Sequence, residues 1–271
     1  MTTYELDFEM MKNISEITLR PQVILTDIDD TLTDDGHLKS AAYTALWNLK
    51  NVGFKIIPVT GRPAGWCEMI ARQWPVDGVV GENGAFYFRY HQKKMHRHFE
   101  IPEVDRIKNQ KKLKLIEFEI LKKVPGSSVA SDQFCRLADL AIDFCEDVPR
   151  IAEDQIQLIK KIFEDHGAVA KISSIHVNGW FGNYDKLSMI KKMLIQEFKM
   201  TPEQIMKDCL FVGDSPNDEP LFSFFTQSVG VANVLNFKNQ IKHMPAYVTD
   251  SCGGEGFSEL AEVLLALPDR K

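Results

Sequence analysis

No run of apolar residues in this 271-residue chain approaches the roughly 18 needed to cross a bilayer, so no membrane partner is expected. Cysteine is sparse and unpatterned: Cys67, Cys135, Cys145, Cys209 and Cys252 are odd in number and form no C-x-x-C. That excludes a disulfide scaffold or a thiolate zinc site and reads as reduced, buried thiols in a cytoplasmic protein. The first residues, MTTYELDFEMMKNISE, place acids where a signal peptide carries basic and then apolar residues. Secretion is therefore not expected, and the sequon at Asn13 would stay unmodified. A basic excess is missing too. The formal net charge is −6, which argues against nucleic acid as a partner. Neither G-x-G-x-x-G after the first strand nor G-x-x-x-x-G-K-[ST] occurs, so nucleotide-binding loops of those kinds are excluded. There is no repeat or low-complexity segment. What remains, 44% hydrophobic and 26% charged, is an ordinary globular composition, long enough for about two domains at roughly 150 residues each.

The apolar run Val23-Ile24-Leu25 is short, bounded by Pro21 and by acids, and predicts a buried parallel strand. Ala41, Ala45, Leu46 and Leu49 predict a helix over 40–51, closed by Gly53. A strand at 54–59, a helix opened by Pro63 and running to Trp74, and a strand at Val79-Val80 follow. That order implies a parallel sheet with helices on both faces. The period then changes. Residues 85–98 predict a hairpin turning at 91–93, and Val104, Ile107, Leu113, Ile116, Ile120 and Val124 a helix. A half-buried strand at 137–144, a helix at 151–166 and strands at 168–173 and 175–180 complete an α+β insert. Beyond it, a helix at 185–198, strands at 209–212, 229–231 and 247–248, and a helix at 256–266 return to the first pattern. Charge follows the same division: residues 86–180 hold 16 Lys and Arg against 14 Asp and Glu, leaving a net of −8 on the rest.

Ligands of a parallel sheet gather beyond the carboxyl ends of its strands. After the first strand stands Asp27-Ile28-Asp29-Asp30-Thr31, and after the second Thr60-Gly61-Arg62. After the late strand stands Gly213-Asp214-Ser215-Pro216-Asn217-Asp218, and Lys186 opens the 185–198 helix. Each alone reads as a cap, a turn or a surface residue. Together, in this order, they form a chemical set. Asp27 can supply a carboxylate nucleophile to a phosphate ester. The acids Asp27, Asp29, Asp214 and Asp218 would repel one another without a hard divalent cation, most plausibly Mg²⁺. Asp29, two residues on, can act as acid and then base. Thr60 and Lys186 can hold phosphoryl oxygens, with the first-turn amides of the helix favouring an anion.

This set resembles the haloacid dehalogenase superfamily of aspartate-nucleophile phosphotransferases: D27-I-D29-D-T31-L-T, T60-G-R, K186 and G213-D214-S-P-N217-D218 stand as its four motifs. The resemblance implies Asp27 as nucleophile and Asp29 as acid/base. It further implies phosphate held by Thr60, Gly61, Arg62, Lys186 and Asn217, and Mg²⁺ held by Asp27, the Asp29 carbonyl and Asp214, with Asp218 orienting the metal shell. Gly81-Glu82-Asn83-Gly84-Ala85 is similar to the turn that precedes the large α/β cap of the subgroup with its cap between motifs two and three. The fold implied is a Rossmann-like parallel-sheet α/β core, residues 1–85 and 181–271, with an α+β cap at 86–180. The run Asn178-Gly179-Trp180 is similar to one in phosphomannomutases, which share the subgroup, and favours a sugar phosphate.

The expected activity is Mg²⁺-dependent hydrolysis of a small sugar or polyol phosphate through an aspartyl phosphate, with a phosphomutase as the alternative. A switch phosphorylated on Asp is the non-enzymatic alternative, which the insert disfavours. Glu82, Asn83, Asn178 and Trp180, where the chain enters and leaves the cap, are expected to contact or shape the substrate pocket. His91, His96 and His98 are read as solvated or packing residues rather than a metal site, Lys108–Lys114 as a wet helix face, and Trp47, Trp66 and Trp74 as core or lid residues. The substrate is expected to be a small phosphorylated metabolite; the sequence does not name it, nor the oligomeric state.

Overall fold

The computed structural model describes residues 11–268; the N-terminal reading concerning secretion falls largely on residues outside them. Thirteen strands and eight α-helices order the described residues. The strands are β1 (Lys12–Asn13), β2 (Val23–Thr26), β3 (Lys55–Pro58), β4 (Val79–Gly81), β5 (Phe86–His91), β6 (Lys94–Phe99), β7 (Ser128–Val129), β8 (Asp139–Asp143), β9 (Val169–Ile172), β10 (His176–Trp180), β11 (Cys209–Gly213), β12 (Gln227–Gly230) and β13 (Tyr247–Val248). The helices are α1 (Ser40–Asn51), α2 (Ala64–Gln73), α3 (Glu103–Lys123), α4 (Glu153–Asp165), α5 (Lys186–Phe198), α6 (Pro202–Asp208), α7 (Glu219–Phe224) and α8 (Gly253–Ala266).

The core sheet runs β1-β13-β12-β11-β2-β3, every pair parallel. Side chains alternate across it as a pleat requires. Ile24, Ile56 and Val212 face α1 and α8 on one side, packing with Leu46, Leu49, Phe257 and Leu260. Val23, Leu25, Ile57 and Phe211 face α5, α6 and α7 on the other, packing with Met189, Ile190, Met193 and Ile205. Both layers are apolar because parallel strands need a helix over each face. Their shared consequence is one polar edge, where Asp27, Thr60 and Asp214 follow β2, β3 and β11.

The strand at 79–81 meets the parallel sheet, as expected, through one bridge, Val59 to Val80, and otherwise pairs antiparallel with β5. The 86–99 hairpin, with Gln92 and Lys93 at positive φ in its turn, buries Phe86 and Phe88 in the core. A boundary at residue 86 would therefore cut a hydrogen-bonded sheet; by pairing, the hairpin goes with the core.

The inserted unit is the sheet β7-β8-β10-β9 under α3 and α4. Leu140, Ile142, Ala170 and Val177 from one sheet face meet Leu113, Ile116, Ile120, Ile156 and Ile159. Strand β8 is buried along its whole length, not half-buried, because core residues cover the face bearing Asp139 and Asp143. Helix α3 is longer than its partner sheet: Val104 and Ile107 stay 65% and 50% exposed, so only its second half is core. Cys252 is exposed, unlike Cys67 and Cys209, which are buried. Trp47 and Trp66 are exposed rather than core. No helix among the described residues is long and apolar enough to cross a membrane.

One close approach fixes the 82–84 turn to the start of α5. Gly84 has φ +102, and a Cβ there would sit 2.1 Å from the Asp185 carbonyl oxygen. Neither the conformation nor the gap admits another residue. Gly84→Ala is expected to cost about 2 kcal/mol or more, the range for a strained backbone with an unrelievable clash. Urea denaturation would read this as a lower midpoint at unchanged slope; an unaltered midpoint would refute the fit.

Candidate active site

Asp27 leaves β2 with its N–H donating to Val212 O at 2.9 Å, so the β2–β11 ladder aims it across the sheet edge. Lys186 begins α5, and the helix start is fixed by a reciprocal cap: Ser188 N–H donates to Asp185 Oδ1 at 2.7 Å and Asp185 N–H to Ser188 Oγ at 3.0 Å. The Lys186 ammonium then lies 3.2 Å from Asp27 Oδ1 and 2.8 Å from Asp218 Oδ1. Asp218 Oδ2 accepts from Asp214 N–H at 3.2 Å. Asp214 accepts from the Thr31 hydroxyl at 3.0 Å and from Asn233 Nδ2 at 3.3 Å.

Asp27, Asp214 and Asp218 each offer an oxygen within 4.8 Å of the others, all buried; among the described residues no other group of three or more acids, histidines and cysteines is so placed. Burial raises the Asp27 carboxyl to about 8, against the pull of Lys186 and reinforced by repulsion from Asp218 and Asp29. Burial, then repulsion from Asp218, Asp27 and Asp30, lifts Asp214 well above the carboxylate range. Lys186 is pushed upward despite burial, by Asp218 and Asp27. Hard, closely spaced oxygen donors with excess negative charge fit a Mg²⁺ ion.

The Asp29 carboxylate is not in that triad. It accepts from Arg62 Nε at 2.9 and 3.1 Å, and Arg62 Nη2 lies 2.8 Å from Asp29 Oδ1. Arg62 reaches on to Glu146 Oε1 at 2.9 Å and lies over the Trp66 ring at 4.5 Å. Glu146 in turn meets His176 Nε2 at 2.9 Å; this contact, with Arg62, lowers its carboxyl to about 2. Arg62 is thus occupied by carboxylates from both units. Thr60 is fully buried, its hydroxyl accepting from Arg62 N–H at 3.0 Å. Gly61 O accepts from Arg136 Nη1 at 2.9 Å, and Asn217 Oδ1 accepts from the Ser215 hydroxyl at 2.9 Å.

The entry and exit residues divide. Asn83 and Trp180 share a small cavity with Lys186 and Asn217, Trp180 stacking on Tyr184 at 5.7 Å. Asn178 donates to Asp139 Oδ2 at 2.9 Å and lines a cavity of about 20 Å³ with Asp27 and Asp29. Glu82 goes elsewhere. Its fully buried carboxylate accepts from the N–H groups of Ala64, Leu137, Ala138 and Asp139 at 2.6 to 3.2 Å. It staples the start of α2 to the entrance of β8. His91 and His96 are solvent-exposed, and His98 stacks on Tyr87 at 5.0 Å.

Sequence reasoning missed Thr31, Asn233, Arg136, Glu146 and His176. Arg136 is completely buried between Asp132 and Asp139, with contacts of 2.9 and 3.2 Å. The available signal was the density of charges, Asp132, Arg136, Asp139 and Asp143, around an otherwise apolar strand.

Residues 24–124 match the family model of haloacid dehalogenase-like hydrolases. No curated protein matches the chain in sequence. Among solved structures, the Thermoplasma acidophilum protein 0175 superposes with a TM-score of 0.71 at 18% identity, covering 91% of this chain and 99% of its own. The C-terminal domain of C. albicans trehalose-6-phosphate phosphatase does so at 0.66 and 14%, covering 99% of each chain. The sucrose-phosphatase of Synechocystis sp. PCC6803, solved with sucrose and phosphate, does so at 0.61 and 17%, covering 91% and 98%. Four polar segments thus gather on one sheet edge of a chain that shares the fold of these solved structures, and its residues 24–124 match the haloacid dehalogenase-like hydrolase model.

Proposed function

We propose that the protein is a phosphomonoesterase acting on a small sugar or polyol phosphate. The observation that carries this is the buried cluster Asp27–Lys186–Asp218–Asp214: a carboxylate at a strand end, an ammonium 3.2 Å from it, and two further acids. Asp27 attacks phosphorus and becomes an aspartyl phosphate while the ester oxygen leaves; water then attacks that phosphorus and regenerates Asp27. Lys186, Thr60 and Asn217 hold phosphoryl oxygens through the transfer. Asp29 gives a proton to the leaving oxygen and later takes one from water. Arg62 orients its carboxylate. Asp27 and Asp214, with the Asp29 carbonyl and with Asp218 behind them, would hold Mg²⁺, which when bound neutralises the acids and polarises the phosphoryl group.

Residues 103–180 act as a cap in this reading. The 20 Å³ cavity over Asp27 has Arg136, His176 and Asn178 in its roof, room for one water, so substrate enters when the cap lifts. Closure excludes bulk solvent from the transfer. Asn83 and Asn178 shape the leaving-group side. The trehalose-phosphate and sucrose-phosphate phosphatases among the structural neighbours support a sugar phosphate as substrate.

A panel of phosphorylated metabolites, scored for inorganic phosphate in the presence of Mg²⁺, tests the reading. Release identifies a phosphatase, isomerisation without release a mutase, and stable labelling of Asp27 a switch. Asp27→Asn is expected to reduce turnover by 10³-fold or more, on the order of losing a nucleophile, while leaving the thermal midpoint equal or higher because it relieves repulsion. Activity near wild type in that variant would overturn the assignment.

Chelation is expected to abolish phosphate release, and Mg²⁺ to restore it. Ca²⁺ should bind but fail to restore it, since its larger and looser shell misplaces the carboxylate relative to phosphorus. Full turnover in excess chelator would rule the scheme out.

A further inference from the structure

Beside the catalytic edge, between the inserted unit and the core, lies a cleft of about 660 Å³, within the usual range for small-molecule sites. One wall comes from α4 and β9, the other from the 215–219 turn and Phe237. It joins the catalytic cavity through Ser173, Ser174 and Asn217, which line both.

Strand β9 borders this space with both of its faces, Ala170 and Ile172 as well as Val169 and Lys171. Ala170, Ile172, Val177, Leu140 and Ile142 pack on the cap helices. Strand alternation sends the opposite set towards the core. Asn178 belongs to that set and pairs directly across the ladder with Lys171, so the two side chains share a face. Asn178 is tied to Asp139. Lys171 is exposed, and among the described residues its ammonium has neither a hydrogen bond nor an ion pair. The other charged side chains on the cleft wall have partners: Arg150 pairs with Glu153 at 3.8 Å, Lys160 with Glu164 at 3.6 Å, and Glu219 lies 3.0 Å from the His243 ring. Lys171 also lines the small cavity that reaches Lys186 and Asn217. It therefore stands where the transferring phosphate ends and the leaving group begins.

We propose that Lys171 binds a second anionic group on the substrate, so that the preferred phosphomonoester carries a carboxylate or a second phosphate on its leaving group. The proposal rests on the phosphomonoesterase reading and narrows its substrate class. A charge-assisted contact between the ammonium and such a group favours the charged leaving group over a neutral one by roughly 10- to 100-fold, the span between a well-formed charged hydrogen bond and a partly screened one. Arginine would keep the charge; methionine would keep only the stem.

Steady-state kcat/KM with Mg²⁺ present decides the matter for wild type, Lys171→Met and Lys171→Arg. Three esters serve as probes: glucose 6-phosphate with a neutral leaving group, 6-phosphogluconate with a carboxylate, and fructose 1,6-bisphosphate with a second phosphate. The wild type is expected to prefer one or both charged esters by about 10-fold or more; whichever is preferred identifies the anion. Lys171→Met should bring that preference close to unity, and Lys171→Arg should retain most of it. No preference in the wild type, or an equal loss on all three esters in Lys171→Met, overturns the proposal. Should the wild type release phosphate from none of them, the phosphomonoesterase reading is what fails on these esters. Calorimetric binding of the same compounds to Asp27→Asn and to Asp27→Asn/Lys171→Met then tests the anion site alone. Charge-dependent binding lost with Lys171 supports it, and equal binding refutes it.

Discussion

Three acids share one buried point at the edge of the parallel sheet, and much of the surrounding structure serves to make that tolerable. At separations of up to 4.8 Å an ionised pair repels by about 3.5 kcal/mol if the effective dielectric is near 20. The single positive charge of Lys186 contacts two of the three acids directly. Its own position depends on Gly84, which lets the 82–84 turn lie against Asp185, and on the cap that begins α5. The third acid, Asp214, is served by Thr31 and by Asn233, and Asn233 is itself held by Gly253 N–H at the start of α8. Strand ends β2 and β11, helix starts α5 and α8, and one glycine turn thus converge because the charge there must be answered.

The inserted unit is bound to this site by polar contacts as well as by packing. Arg62 holds Asp29 with one part of its guanidinium and Glu146 with another. Glu146 stands where it does because Asp143, at the end of β8, accepts three successive N–H bonds from Cys145, Glu146 and Asp147 at 2.8 Å each. A motion that separates Glu146 from the core must break the Arg62–Glu146 contact, which leaves Arg62 with Asp29 and, at 3.7 Å, with Asp132. The contacts of the inserted unit and the setting of the Asp29 carboxylate are therefore linked through one side chain. Glu82 and Arg136 act differently. They tie the 132–139 segment to the core through backbone groups at Ala64 and Gly61.

The sequence made the catalytic edge legible because each of its residues follows directly on a short apolar strand or opens a helix. Asp27 after Val23-Ile24-Leu25 and Asp214 after Leu210-Phe211-Val212 need no long-range information: the strand predicts the direction, and the next residue inherits the edge. Glu82 shows where such reasoning stops. Its place between Gly81 and Asn83 suggested a pocket, yet its partners are amides more than fifty residues away at 137–139, visible only once β8 is docked. Val104 and Ile107 failed for a related reason. Their spacing fits the buried face of α3, but the sheet beneath ends before it reaches them. Strand Val79–Gly81 meets the parallel sheet, as expected, at the Val59–Val80 bridge, and carries the antiparallel β5 on its other edge.

The charge division read from composition, a slightly basic insert over an acidic remainder, does not by itself account for how an anionic substrate would be held. At the junction most of those charges already answer one another: Arg136 is enclosed by Asp132 and Asp139, Arg62 by Asp29 and Glu146, Glu146 by His176. Their fields largely cancel over a few ångströms, leaving little for an approaching ligand. What a ligand meets is the residue left over after this pairing, and strand register selects it. A shift of β9 by one residue would exchange the sheet faces of Lys171 and Ile172. Recognition on this face is therefore a property of register rather than of net charge, and it cannot be read from the number of lysines in the insert.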